Sequence, residues 1–378
     1  MSIVPTFKAI QWSSSSGQLE IITKNVVPPV SGQALIRVLA YWVAPPHKYM
    51  FSGAIPFIKP HNHTPGGGCI GRVEAVGPDS LTLTLGQLVY VDPSINGRDA
   101  PEEKIVHGTI PGWTPRAEKL GTAGWKDGVM TEKVLAPIES VIAVDEKFFI
   151  EQKGYSIEKI FVLNRFVLPY AAYELAKLQP GDTVIVAFAT GELGNAAVEL
   201  ALALGAASVI GIGRDQRKLD QWKSRFSPSQ ASRISAVAVS GDVDADASFI
   251  TASTPKGAGA DLFFDLTPPQ GGSDASSHIT SCIWSLKTKA RVVFMGGISR
   301  GVQVSMPYFD IVHKDLQMYG SFMYDLSVPR KVLRLVESGI LSLDNFETKV
   351  FQGLERFREA MDFAATEKDC RLGCFVAP

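Results

Sequence analysis

Cysteine is scarce in this chain. Only Cys69, Cys282, Cys370 and Cys374 occur, and no two of them stand in a CxxC spacing. That excludes a disulfide framework and a four-cysteine zinc lobe. An excess of charge is lacking too: Lys plus Arg total 37 against 38 Asp plus Glu, so no field of either sign gathers nucleic acid or an anionic membrane. No apolar run is long enough to span a membrane uninterrupted. The most hydrophobic stretch, AAVELALALGAASVIGIG, holds Glu199, Gly205 and Ser208 and reads as a helix followed by a strand. The start, MSIVPTFKAIQW, places Pro5 and Lys8 where a secretory leader needs an unbroken apolar core. The expectation is a cytoplasmic, reduced protein with a small-molecule partner, apolar or aromatic in character.

What is present is ordinary globular composition, 46% hydrophobic and 20% charged, over 378 residues, enough for two domains with separate cores. Residues 1–150 read as short β segments between turns, as in ALIRVLAYWV, GRVEAVG, QLVYVDP and EKVLAP. The interval from Pro93 to Asp127 shows little periodicity and reads as a long loop, a functional cover or a mobile segment, carrying Trp113 and Trp125. From 151 strand and helix alternate: TVIVAF, NAAVELALALG, SVIGIG, ADLFFDL and ARVVFMGG predict parallel βαβ units. From 317 a helix, a strand, a helix and the strand-like CFVAP predict a return onto the first domain.

Two glycine-rich turns compete for a dinucleotide. Gly66-Gly67-Gly68-Cys69-Ile70-Gly71 matches GxGxxG, but it follows the loop PHNHTP and leads into a strand, so no helix N-terminus faces a pyrophosphate. Ala189-Thr190-Gly191-Glu192-Leu193-Gly194 replaces the first glycine by alanine, yet a strand enters it and a helix leaves it. Gly191 allows close backbone approach there, and Gly194 allows close helix packing. The next strand ends at Gly213, followed by Arg214, with Arg217 and Lys218 nearby. A carboxylate at that end would bind the ribose 2′-hydroxyl of NAD, whereas arginine clamps a 2′-phosphate, so the cofactor expected is NADPH. Asp215, one residue late, counts against this, and a solvated basic helix start is the alternative.

These segments, in this order, resemble the medium-chain dehydrogenase/reductase superfamily over nearly the whole length, through FVLNRFVLPYAAYEL, PGDTVIVAFATGELG, KARVVFMGG and KDLQMYGSF. The resemblance implies an α/β fold: a GroES-like β-rich catalytic domain over 1–150, a doubly wound Rossmann domain over 151–316, and residues 317–378 returning to the catalytic domain. It implies backbone contact with the nicotinamide at Gly296 and Gly297. It implies Leu266 and Thr267 beside the adenosine ribose, and a homodimer through sheet edges.

The zinc-dependent branch carries Cys, His and a hydroxyl residue where this chain has Ala44, Pro45 and Pro46, and His-Glu where it has Gly67 and Gly68. A tetrahedral zinc lacks its ligands there, and no metal is expected; His47, His61 and His63 are the histidines left nearby. The chain then resembles the zinc-independent quinone and enoyl reductase branch, with Pro45, Tyr49, Ser52 and Gly53 on matching positions. Ala44 and His47 depart from that branch's pattern.

Hydride delivery leaves negative charge on the substrate, and without a metal hydrogen-bond donors must take it. They suffice best when the charge is delocalised, as on reducing an enone, enoyl group or quinone. Tyr49 is the first candidate donor, or a stacked pocket wall; His47 is the second because imidazole ordinarily titrates near working pH. Tyr170 and Tyr173 read as core. Two further readings stay open: reduction of a ketone or iminium in a specialised biosynthetic pathway, and a catalytically inactive NADPH-binding scaffold or sensor.

Overall fold

The computed structural model describes residues 4–13, 16–52, 62–268, 275–297 and 303–378. Two compact units emerge, one formed by residues 1–164 with 325–378 and the other by residues 165–324. In the first unit β1 (Thr6–Trp12) and β2 (Leu19–Asn25) pair as a hairpin, followed by β3 (Gln33–Trp42), α1 (His47–Phe51), β4 (Cys69–Val76) and β5 (Leu88–Val91). Next come β6 (Ser94–Asn96), β7 (Lys104–Val106), α2 (Pro115–Ala123), β8 (Lys133–Pro137), β9 (Val141–Ala143) and α3 (Ile157–Phe161).

The second unit runs through α4 (Asn164–Leu175), β10 (Thr183–Ala187), α5 (Glu192–Ala203), β11 (Ser208–Gly213), α6 (Gln216–Lys223), α7 (Pro228–Ala231) and β12 (Ile234–Ala238). It continues with α8 (Val243–Ala252), β13 (Ala260–Asp265), α9 (Ala275–Trp284), β14 (Leu286–Phe294), α10 (Tyr308–His313) and β15 (Gln317–Gly320). The chain then re-enters the first unit with α11 (Val328–Glu337), β16 (Glu347–Gln352), α12 (Phe357–Thr366) and β17 (Leu372–Ala377).

Six parallel strands form the sheet of the second unit in the order β12-β11-β10-β13-β14-β15. Every residue of β10 is buried, because a parallel sheet is covered on both faces, which is why TVIVA is continuously apolar after its threonine. The order reverses between β10 and β13, and ligands of such sheets settle outside the strand ends at that point.

The first unit's main sheet runs β16-β17-β3-β4-β5-β9, with β8 also on β3. The predicted C-terminal return is present: β17 lies antiparallel to β3 with Phe375 opposite Trp42, and Phe351, Phe357 and Val376 join Ile36, Tyr41 and Val89 in one core.

Three expectations shift. Residues 151–164 belong to the first unit, because α3 lies on β3 and β4. Residues 317–324 belong to the second, because β15 extends its sheet with Gln317 opposite Arg291. The stretch 93–127 is a folded lobe, not a bare loop: Ile95 and Ile105 of the β6–β7 hairpin meet Ala117 of α2, and Leu120 and Trp125 pack against them. Thr114 caps α2 by accepting the Ala117 N–H. All four cysteines are buried, and none of them forms a disulfide. Among the described residues no helix is long and apolar enough to cross a membrane.

Candidate cofactor site and active-site residues

The turn after β10 has the shape a pyrophosphate needs. Gly191 precedes α5, and the N–H groups of Glu192, Leu193 and Gly194 find no acceptor among the described residues, so three donors at a helix N-terminus remain open. Gly194 is required: a Cβ there would stand 1.9 Å from the Phe188 carbonyl oxygen. Ala189, by contrast, fits as alanine, fully buried with its N–H donated to the Ile212 carbonyl, while Thr190 is half-buried. Glu192 meets the Arg165 guanidinium at 2.5 Å; burial pushes the Glu192 carboxyl up to about 7, against the pull of that guanidinium.

At the end of β11, Gly213 is buried against Leu219, and Arg214, Arg217 and Lys218 are exposed, none with a carboxylate partner among the described residues. The Arg214 guanidinium stands 5.9 Å from the centroid of the Phe188 ring. Asp215 is otherwise engaged: its carboxylate caps α6 by accepting the Lys218 N–H at 3.3 Å. The residue that weakened the NADPH expectation is thus held as a helix cap.

The ends of β13 and β14 come together. Gly297 donates its N–H to the Thr267 carbonyl at 2.8 Å, Met295 donates to that of Asp265, and a Cβ on Gly296 would stand 2.8 Å from an Asp265 carboxylate oxygen. Leu266 is half-buried. Thr267 is fully buried and donates its hydroxyl to Asp265 at 2.6 Å, with His278 Nε2 at 3.0 Å, so its side chain is not offered to a ligand. A cavity of about 730 Å³ lies past the ends of β10, β11 and β12, walled by Phe188, Arg214 and Ser240, and by His278 and Trp284 of α9. Sequence reasoning missed Arg165 and His278. Arg165 had a signal, a lone charge in the apolar hinge segment FVLNRFVLPY; His278, amid small polar residues, had none.

In the first unit α1 carries both candidate donors. Tyr49 is 40% exposed. His47 is buried, packed between the rings of Trp42 and Phe51, and accepts the Ala44 N–H on Nδ1 at 3.2 Å. Burial pushes its imidazole down to about 4, which corrects the expectation that it titrates near working pH: it is neutral, with its remaining proton on Nε2. Tyr173 is core, as expected, its hydroxyl donated to the Ala197 carbonyl.

The positions where the zinc-dependent branch holds its metal do not fit one. Ala44 is a buried methyl, a Cβ at Gly67 would stand 2.9 Å from Pro93, and one at Gly68 would stand 2.6 Å from the Val91 carbonyl oxygen. Among the described residues no three His, Cys, Asp or Glu gather to hold a metal. His61 and Gly53 lie outside the described residues. Gly66–Gly68 run into β4, so the perfect GxGxxG match opens a strand and offers no helix dipole.

A parallel sheet of order 3-2-1-4-5-6 with a glycine turn at its switch point, joined to a β unit completed by the C-terminal strand, defines a dinucleotide-binding protein of the dehydrogenase class. Residues 30–146 match the alcohol dehydrogenase GroES-like domain and residues 193–338 match the zinc-binding dehydrogenase family. The chain belongs to the medium-chain dehydrogenase/reductase superfamily, whose members are NAD(P)-dependent oxidoreductases.

Similar proteins include a probable D-xylulose reductase A of Arthroderma otae, 30% identical over 46% of this chain and 45% of that protein. An L-arabinitol 4-dehydrogenase of Penicillium rubens is 23% identical over 83% of this chain and 76% of that protein. The first alignment thus spans less than half of its relative. Among solved structures, an Escherichia coli alcohol dehydrogenase complexed with NADH has a TM-score of 0.75 at 16% identity, covering 99% of both chains. A putative zinc-binding dehydrogenase from Sinorhizobium meliloti bound to NADP has a TM-score of 0.72 at 19% identity, covering 99% of this chain and 100% of that one. These likenesses show the fold. The two curated relatives named above bear the names of a xylulose and an arabinitol enzyme, and neither carries the name of a quinone or enoyl reductase.

Proposed function

We propose that the chain is an NADPH-dependent, zinc-independent oxidoreductase that transfers hydride to an activated double bond, in an enone, enoyl group or quinone. When bound, the cofactor supplies the hydride. The open N–H groups of Glu192–Gly194 would hold its pyrophosphate, and Arg214, with Arg217 and Lys218, would take the 2′-phosphate, a role supported by the diversion of Asp215 into a helix cap. The Tyr49 hydroxyl would steady the substrate oxygen or pass it a proton. His47 would contribute a hydrogen bond from neutral Nε2–H and no titration of its own.

The observation that carries the zinc-free reading is the closeness of the Pro93 ring to Gly67 and of the Val91 carbonyl to Gly68, together with Ala44, where a metal-dependent relative needs side chains. Donors without Lewis acidity favour substrates whose negative charge is delocalised, hence C=C reduction beside a carbonyl. The names of the curated relatives favour a second reading, carbonyl reduction with the same cofactor. One experiment separates them: NADPH and NADH oxidation over a panel of quinones, enones, ketones and cyclic imines, with metal analysis of the same preparation. Turnover of enones or quinones with NADPH and no stoichiometric zinc is the expected result. Ketone turnover alone supports the second reading, strict NADH preference overturns the Arg214 role, and stoichiometric zinc overturns the zinc-free one. Tight NADPH binding without turnover of any substrate would make the chain a sensor or scaffold.

A further inference from the structure

Arg165, near the start of α4, carries its charge on a side chain 2% exposed. It is ion-paired to Glu192, the first residue of α5. A buried guanidinium is tolerated only while an anion answers it. Glu192 is such an anion, and it stands on a residue whose backbone N–H belongs to the cradle where a pyrophosphate would land. Two anions at one helix start repel each other, which disfavours the charged form of whichever can take a proton. The strands against which α5 lies, β10 and β11, carry no charged residue, and the next carboxylate along α5, Glu199, accepts a hydrogen bond from Asn195. Arg214 is engaged over the Phe188 ring. Among the described residues, the ion pair seen at the turn is that of Arg165 with Glu192.

We propose that Glu192 is a proton-accepting member of the pyrophosphate site: a bound dinucleotide replaces its carboxylate as counter-anion of Arg165, and the released carboxylate takes one proton from solvent. The inference rests on the cofactor reading of the turn given above. One dinucleotide and one proton are taken up together, and the Arg165–Glu192 ion pair is broken. Because burial already holds the carboxyl up to about 7, that proton is accessible near neutral pH. Above that pH the carboxylate must be reprotonated before the anion lands, so affinity falls as pH rises.

The test is NADPH binding to the full chain, followed by fluorescence from pH 6.5 to 8.5, where a phosphate monoester with a second pKa of about 6 has largely finished titrating. The dissociation constant is expected to rise about tenfold across this range in the native protein and to stay flat in Glu192→Gln. Calorimetry at pH 8 in two buffers of different ionisation enthalpy needs no variant and is expected to show uptake of close to one proton per site. Binding with no proton uptake, or a pH dependence that survives in Glu192→Gln, overturns the proposal and leaves the cofactor reading intact. Absence of NADPH binding at every pH overturns both.

Discussion

Arg214 and Asp215 are adjacent, yet they have opposite meanings for a cofactor. The carboxylate is turned back onto α6, and the guanidinium is left exposed beside the cavity. Replacing Arg214 by Ala removes a charge-assisted contact and is expected to raise the KM for NADPH about tenfold to a hundredfold, with the KM for NADH unchanged, in steady-state assays with either cofactor. Two histidines make a second prediction. Burial pushes both His47 and His107 down to about 4, in His107 against the opposing pull of Asp127. In the unfolded chain each binds a proton near pH 6.5, so between pH 6.5 and 4 the unfolded state holds more protons than the folded one. Stability is therefore full above pH 6.5 and falls as pH drops toward 4, by roughly 3 kcal/mol per histidine at most. Urea unfolding at pH 7.5 and 5.0 should show that loss, and His107→Leu should lose less.

Among elements, those with room to display a period were the ones legible in the sequence. TVIVAF, SVIGIG and ADLFFDL are buried parallel strands and appear as β10, β11 and β13; the helix read as NAAVELALALG appears as α5, which begins three residues earlier, at Glu192. The 93–127 lobe was illegible because its strands are three residues long and its helix nine, too short for either period to repeat. Its apolar core is Ile95, Ile105 and Ala117, flanked by Trp125, which packs into the lobe and so anchors it. Trp113, by contrast, is half exposed. Among the described residues no group of ligands gathers in the lobe to hold a metal, so a chelator is expected to leave the thermal midpoint unchanged. Ile105→Ala should cost about 2–5 kcal/mol in denaturant unfolding, provided the lobe unfolds with its unit. A midpoint lowered by chelator would show that a metal holds the lobe.

For the whole molecule, the order of units was readable and their borders were not. The alternation of strand and helix marks where the Rossmann pattern starts, but α3 has the same local texture and differs only in what it lies on, a contact far away in sequence. The last strand of the six, QMYG, is too short and too exposed to look like a parallel strand, so residues 317–324 read as part of the return. The border matters because the two units differ in continuity. The residues 165–324 are one uninterrupted stretch, and among the described residues the core around Ile185, Ile210, Phe263 and Val292 is built from residues inside it. The other unit draws Phe351, Phe357 and Val376 from beyond residue 324 into the core of β3 and β4. Removing everything after 324 takes away the β17 partner of β3 along with those side chains, and residues 1–164 alone are expected not to fold cooperatively. Residues 164–324 expressed alone should show a cooperative thermal transition by circular dichroism and retain NADPH binding, since the turn, Arg165 and Arg214 all lie within them. A cooperative melt for 1–164, or none for 164–324, would mean that the cores are not divided as the side-chain packing divides them.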